Sequence, residues 1–342
     1  MRKLKNTLYI TTPGTYVSRE GECLVIRFED DRFIRVPAHN LEGLVYFGYP
    51  GISPQALSLC AELGISVSFL RPNGRFLARV EGPQSGNILL RRKQYRICDN
   101  EAESAKLASR FIAGKIYNCR VLIRRGIRDH GSSISASMEN WSVQLKRLLL
   151  KSFDSNNLDI LRGIEGEAAR YYFSGLDELI LEDKDNFFMK KRSRRPPLDR
   201  FNCLISFLYT LLVHECRSAC ETVGLDPAAG FLHRDRPGRP SLALDLMEEL
   251  RPVIADRLAL TLINRKQITA KDFCLRPNGV VEITDEARKI VIDAWQSRKQ
   301  DTLMHPFIKE KIQYGLIPYV QAMLLSRYMR GDLEDYPAFT WR

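Results

Sequence analysis

A change of hydrophobic period near residue 82 sets the strongest limit on what this chain can fold into. Before it, apolar residues come in short β-branched or aromatic runs; after it they recur every three or four positions, the spacing of one helix face. TLYITT, ECLVIRF, RFIRVP and GLVYFG read as strands, and Asp30-Asp31 turns the second into the third. One helix interrupts them: Ser53 is placed to cap PQALSLCAEL, and Gly64 to end it. ISVSFL resumes the sheet, and Pro72-Asn73-Gly74 turns it into RFLARV.

Beyond GPQSG, helices are expected over roughly 87–99, 102–126, 133–151, 159–174, 198–223 and 241–264, with a pair after 285 and no internal repeat. The 342 residues suffice for about two domains. The expected class is α+β. A β-sandwich-like, one-helix domain covers 1–82, a linker 83–86, an all-α domain 87–330 and a tail 331–342.

Charge narrows the partner. Against 41 Asp and Glu stand 52 Lys and Arg, a net +11, which points to a polyanion or to a merely basic enzyme. The start, MRKLKNTLYI, has no apolar run behind its basic residues, so it does not read as a secretory signal. LISFLYTLLV is half the length of a membrane span and contains Ser206, Tyr209 and Thr210. Eight scattered cysteines suit a reducing cytoplasm.

Three segments carry the chemistry. LRGIEGEAARYYF sets Glu165 between Gly163 and Gly166, either to admit a ligand beside the carboxylate or as a solvated glutamate between packing spacers. In LDRFNCLISFLYTLL, Asn202, Ser206 and Tyr209 form one polar stripe on a burying helix. That stripe is a second shell behind a site or an interhelix hydrogen-bond seam. Before it, MKKRSRRPPLDR offers Lys190, Lys191, Arg192, Arg194 and Arg195 on a proline-bearing loop, to phosphates or simply to solvent.

The third segment, FLHRDRPGRPSLALDLMEELRP, places His233 twelve residues before Asp245, across a loop rich in arginine, glycine and proline. Ser241 is the expected N-cap of the following helix, which brings Asp245 and Glu248 to one face; Glu249 is expected to meet Arg251 or solvent. The acids interrupt LALDLMEEL where a core would want apolar residues. One imidazole with carboxylate oxygens suits manganese or magnesium better than structural zinc. His214, Cys216 and Cys220 lack a second ligand pair for zinc, and His39, His130 and His305 have no ligand company.

GIEGEAARYYF, DRFNCLISFLYTLL and GFLHRDRPGRPSLALDLMEELRP, in that order behind a β domain, closely resemble the CRISPR-associated adaptation integrase family, Cas one. The ending DYPAFTWR resembles members found with type I-C systems. The resemblance implies a metal-dependent DNA endonuclease and integrase that binds Mg2+ or Mn2+ through Glu165, His233 and Glu248, with Asp245 beside the ion; many members have aspartate in place of Glu248. It implies a homodimer formed through the N-terminal domain. Two such dimers flank a dimer of a small ferredoxin-like Cas partner, a heterohexamer of four plus two subunits. This assembly holds double-stranded spacer precursor and joins it to the CRISPR array. The nucleophile is then a DNA 3′-hydroxyl, and Arg234, Arg236 and Arg239 join the 190–195 group in gripping DNA backbones. Two other readings stay open: hydrolysis of branched DNA at the same site, and a non-catalytic DNA-binding scaffold that uses charge alone.

Overall fold

The computed structural model describes residues 4–48, 51–71, 76–80, 82, 88–131 and 136–341. It divides into two compact units, Met1–Ser85 and Gly86–Arg342. The expected turn at 72–74 and the linker at 83–86 lie outside the described residues.

The first unit holds two four-stranded sheets. Strands β1 (Asn6–Ile10), β5 (Leu41–Phe47), β7 (Ser66–Leu70) and β8 (Phe76–Val80) lie side by side in that order. The second sheet has the order β4 (Phe33–Pro37), β3 (Cys23–Arg27), β2 (Tyr16–Glu20) and β6 (Gly51–Ile52). β5 and β7 are parallel. Parallel neighbours need a crossover, supplied by α1 (Pro54–Glu62). Ser53 caps α1 by accepting from the Ala56 N–H, and Gly64 leaves it at φ +67°. Ile10, Leu44, Tyr46 and Val67 of one sheet share a core with Val17, Leu24 and Ile26 of the other, and with Leu59 and Cys60 of α1. Strand β2 was not expected from sequence, because only Val17 of YVSRE is fully buried.

The second unit is mostly helical: α2 (Ile88–Asp99), α3 (Glu101–His130), α4 (Ser137–Phe153), α5 (Leu158–Glu178), α6 (Arg200–Thr222), α7 (Ser241–Glu248), α8 (Arg257–Asn264), α9 (Asp285–Gln300) and α10 (Ile317–Arg330). It is not all-α. Two antiparallel hairpins, β9 (Phe273–Leu275) with β10 (Val281–Ile283) and β11 (Thr302–Met304) with β12 (Lys311–Gln313), sit between its helices. Asn100, Asn157 and Asp199 cap α3, α5 and α6 through their side-chain oxygens. Among the described residues no helix is long and apolar enough to cross a membrane.

Two expectations about the third segment fail here. Ser241 is already helical and does not cap α7; its hydroxyl donates instead to the Arg234 carbonyl at 3.4 Å. The single helix expected over 241–264 is broken: Pro252 has no N–H to give, and a π-helical turn at Arg251–Asp256 carries the chain into α8.

The last residues are not a detached tail. Tyr336, Phe339 and Trp341 are buried. Asn118 of α3 donates to the carbonyls of Glu249 and Phe339 at 2.7 and 2.9 Å, and its own carbonyl accepts from the Trp341 N–H at 2.7 Å. The Arg125 and Arg257 guanidiniums lie 3.8 and 4.8 Å from the Trp341 ring centre.

Candidate active site

Asp245 organises the loop before its own helix. Its carboxylate accepts from the backbone N–H groups of Phe231, Leu232 and His233 at 2.6, 3.0 and 3.0 Å, and it meets His233 Nδ1 at 2.5 Å. Gly230 lets this closure happen, since a Cβ there would lie 2.6 Å from the Ser241 carbonyl carbon and 2.9 Å from Asp245 Oδ2. With all its oxygens engaged, Asp245 has no lone pair aimed at a substrate. It orients the imidazole and leaves Nε2 as the nitrogen that faces Glu248.

That nitrogen faces Glu248, whose Oε1 is 4.0 Å away. Glu248 also pairs through Oε1 with Arg251 at 2.9 Å, one turn further on, and through Oε2 with Lys115 of α3 at 2.7 Å. The Lys115 contact is an ion pair whose angle leaves Oε2 short of a hydrogen bond. Burial works against the Glu248 charge, but Arg251, Lys115 and His233 outweigh it and lower the carboxyl to about 2. Glu165, from α5, reaches the same ammonium through Oε1. Burial likewise opposes the charge on Lys115, yet Glu248 and Glu165 together hold it above lysine's ordinary value. A Cβ at Gly163 or Gly166 would meet nothing within 4 Å, so neither is a packing spacer and the face beside Glu165 is open.

Among the described residues no three His, Cys, Asp or Glu side chains are gathered tightly enough to hold a metal ion. The reason lies in the geometry: the ammonium stands between the two carboxylates. The donors still fit a hard divalent ion, being two carboxylates and one oriented imidazole, with a cation already seated between the carboxylates.

The polar stripe on α6 supports this centre at one remove. Tyr209 donates to Asp256 Oδ1 at 2.7 Å and carries Arg251 over its ring at 4.7 Å. Tyr172 of α5 donates to Asp256 Oδ2 at 2.6 Å. Burial raises the Asp256 carboxyl to about 6 although both tyrosines, Arg251 and Arg192 favour its charge. Asn202 and Ser206 hold Arg192, at 2.6 and 3.0 Å. This corrects the placing of Arg192 among the DNA contacts: it is turned inward and committed to α6.

The remaining basic residues stay outside. Lys190, Lys191, Arg194, Arg195 and Arg236 are exposed, Arg239 is half-buried, and exposed Arg234 pairs with Asp159 at 2.8 Å. Burial lowers the Arg239 guanidinium, and the nearby positive charges of Arg236, Arg194 and Arg195 add to it.

Glu249 belongs to neither group, and its expected partners are corrected as well. It is buried, accepts from Tyr336 OH at 2.8 Å and Gln321 Nε2 at 3.0 Å, and takes the Phe339 N–H. Arg251 pairs with Glu248 instead. Burial raises the Glu249 carboxyl to about 8 despite these donors.

The family model for CRISPR associated protein Cas1 matches residues 8–297. A CRISPR-associated endonuclease Cas1 of Chlorobaculum tepidum is 52% identical over 343 residues, spanning 100% of both chains. The chain belongs to the Cas1 family. Relatives 52% and 50% identical to it along their whole length are named CRISPR-associated endonucleases. The Cas1 fold itself recurs in a casposase bound to integration product, with a TM-score of 0.84 at 21% identity over 99% of this chain and 95% of that one. A partial Cas6-RT-Cas1–Cas2 complex is similar at a TM-score of 0.65 and 25% identity, over 99% of both chains.

In this Cas1 chain, sequence reasoning missed Lys115, Arg251 and Asp256 as parts of the centre. Arg251 was one turn from Glu248 and readable as its i,i+3 partner. For Lys115 the signal was a lone lysine inside the apolar run FIAGKI, whose neighbours from Phe111 to Ile116 are all buried.

Proposed function

We propose that this chain is a divalent-metal-dependent DNA integrase and endonuclease in which Glu165, His233 Nε2 and Glu248 hold Mg2+ or Mn2+. The observation that carries the reading is the cation seat shared by Glu165 and Glu248, beside an imidazole that Asp245 aims at it. An ion bound there supplies Lewis-acid polarisation of the scissile phosphodiester and stabilises its oxyanions. The protein's share is positioning. Asp245 fixes the His233 tautomer, Arg251 and Tyr209 fix the Glu248 rotamer, and the open glycine face of α5 lets a DNA backbone approach Glu165. Arg194, Arg195, Arg236 and Arg239 take phosphates on either side of the scissile bond. The attacking group is the 3′-hydroxyl of the incoming fragment and the leaving group is a 3′-oxygen of the array strand, so no protein nucleophile is required.

We further infer a cytoplasmic homodimer formed through the first unit, where edge strand β4 exposes Phe33 and Ile34. Two dimers join a small ferredoxin-like Cas partner in a four-plus-two assembly of type I-C character. The complex with Cas2 named for one relative and the DYPAFTWR ending support this reading.

The decisive experiment is strand transfer of a labelled fragment into an array duplex, with the small Cas partner present and Mn2+ added or withheld. Joined product is expected only with Mn2+ and only while Glu165 is intact. Shortening without joining would leave nuclease activity alone, and joining without metal would remove the proposal.

A further inference from the structure

We propose that Lys115 is a built-in counter-cation that occupies the divalent-ion seat between Glu165 and Glu248 and must withdraw before an ion binds. The inference rests on the reading that these two carboxylates, with His233, hold Mg2+ or Mn2+. Lys115 Nζ touches Glu165 Oε1 and lies 2.7 Å from Glu248 Oε2, the oxygens that an ion bridging the two acids would take. An ion at its usual distance of about 2.0–2.2 Å from such oxygens leaves no room for an ammonium between them. Charge gives the same answer. Glu165 and Glu248 contribute two negative charges, and Lys115 and Arg251 already balance them. A dication added with both bases in place would leave these four side chains with two uncompensated positive charges.

One of the bases has to move, and the geometry selects Lys115. Arg251 is clamped between Glu248 Oε1 at 2.9 Å and the Tyr209 ring at 4.7 Å. Lys115 has a flexible four-carbon stem and, among the described residues, no aromatic ring over its ammonium. The Glu165 side chain beside it is 30% exposed, against 7% for Lys115, so the way out runs past Glu165 toward solvent. In the metal-free centre the two acids are thereby each matched by a base, and the same contact makes every ion compete with an internal cation.

The test is Mn2+ binding by the full chain, followed by titration calorimetry and by the electron paramagnetic resonance of free Mn2+. Lys115→Met removes the competitor while keeping its bulk, and should lower the Mn2+ Kd by about tenfold or more. Without metal this variant should melt below the wild type, and saturating Mn2+ should close the gap. Lys115→Arg keeps the charge and should bind Mn2+ no more tightly than wild type. Lys115→Gln, a second neutral side chain, replaces Lys115→Met if that variant does not fold. If the neutral variants bind Mn2+ no more tightly than wild type, while Glu165→Gln and Glu248→Gln weaken binding, the role of Lys115 is overturned and the metal site stands. If no version of the chain binds Mn2+, the metal reading and this inference fall together.

Discussion

Two neighbouring carboxyls at the end of α7 look into two different regions of the second unit. On the side of Glu248, burial is outweighed by Arg251, Lys115 and His233, and the carboxyl is lowered to about 2. On the side of Glu249, the same burial meets only neutral donors from Phe339, Tyr336 and Gln321, and the carboxyl is raised to about 8. Burial alone therefore does not settle the charge of an interior acid; the cations within reach do. One face of α7 keeps an anion among cations, and the other, its carboxyl raised by burial, pins residues 336–339.

The largest effect expected from disturbing this contrast lies on the Glu249 side. Phe339 is fully buried in the pinned segment. Phe339→Ala should cost about 3–5 kcal/mol in urea unfolding, the range for emptying a buried aromatic site. A cost near zero would mean that the segment merely rests on the fold and that Glu249 anchors nothing.

The next effect separates charge from burial behind Glu248. Asp256 is raised from 3.8 to about 6 in the folded chain. A raised acid binds its proton more tightly when folded, so its contribution is fully present below about pH 4 and is lost as pH rises through about 6. Against Asp256→Asn, wild type should thus lose about 3 kcal/mol of relative stability between pH 4 and pH 7. Parallel unfolding curves for the two proteins across that window would show that the Tyr172 and Tyr209 bonds, rather than burial, govern this acid.

The smallest effects concern the basic loops. Arg194→Ala or Arg195→Ala should each reduce the salt dependence of duplex binding by about 0.9 in log–log slope, one phosphate contact apiece. Arg192→Ala should leave that slope unchanged, because the side chain is spent on Asn202 and Ser206. Affinity measured from low to moderate salt separates them, and equal slope changes for all three would place Arg192 back among the DNA contacts.

How much of this was legible in the sequence follows from the range of each interaction. The change of period near residue 82 is local, and it gave the two-part architecture. The pairing of Asp245 with Glu248 on one helix face is local too, and the structure has both of them meeting His233. Strand β2 escaped because a short strand with one fully buried side chain leaves almost no alternation to read. The break at Pro252 was available from the proline itself, but a 3.6-residue period on either side hid it. The interactions that no local pattern encodes were lost. Lys115 meets acids 50 and 133 positions further on, Arg192 folds back onto the stripe of its own following helix, and Glu249 meets a segment 87 to 90 residues away. Each depends on how α3, α5, α6 and α7 pack.

The central claim is that the Glu248 face of α7 does the chemistry and the Glu249 face does the holding. Strand transfer by Glu248→Gln and Glu249→Gln, at several Mn2+ concentrations and with duplex affinity measured on the same preparations, tests it most directly. The account predicts no joined product from Glu248→Gln at any Mn2+ concentration, near wild-type joining from folded Glu249→Gln, and retained DNA affinity in both. An active Glu248→Gln beside a dead but folded Glu249→Gln would contradict it.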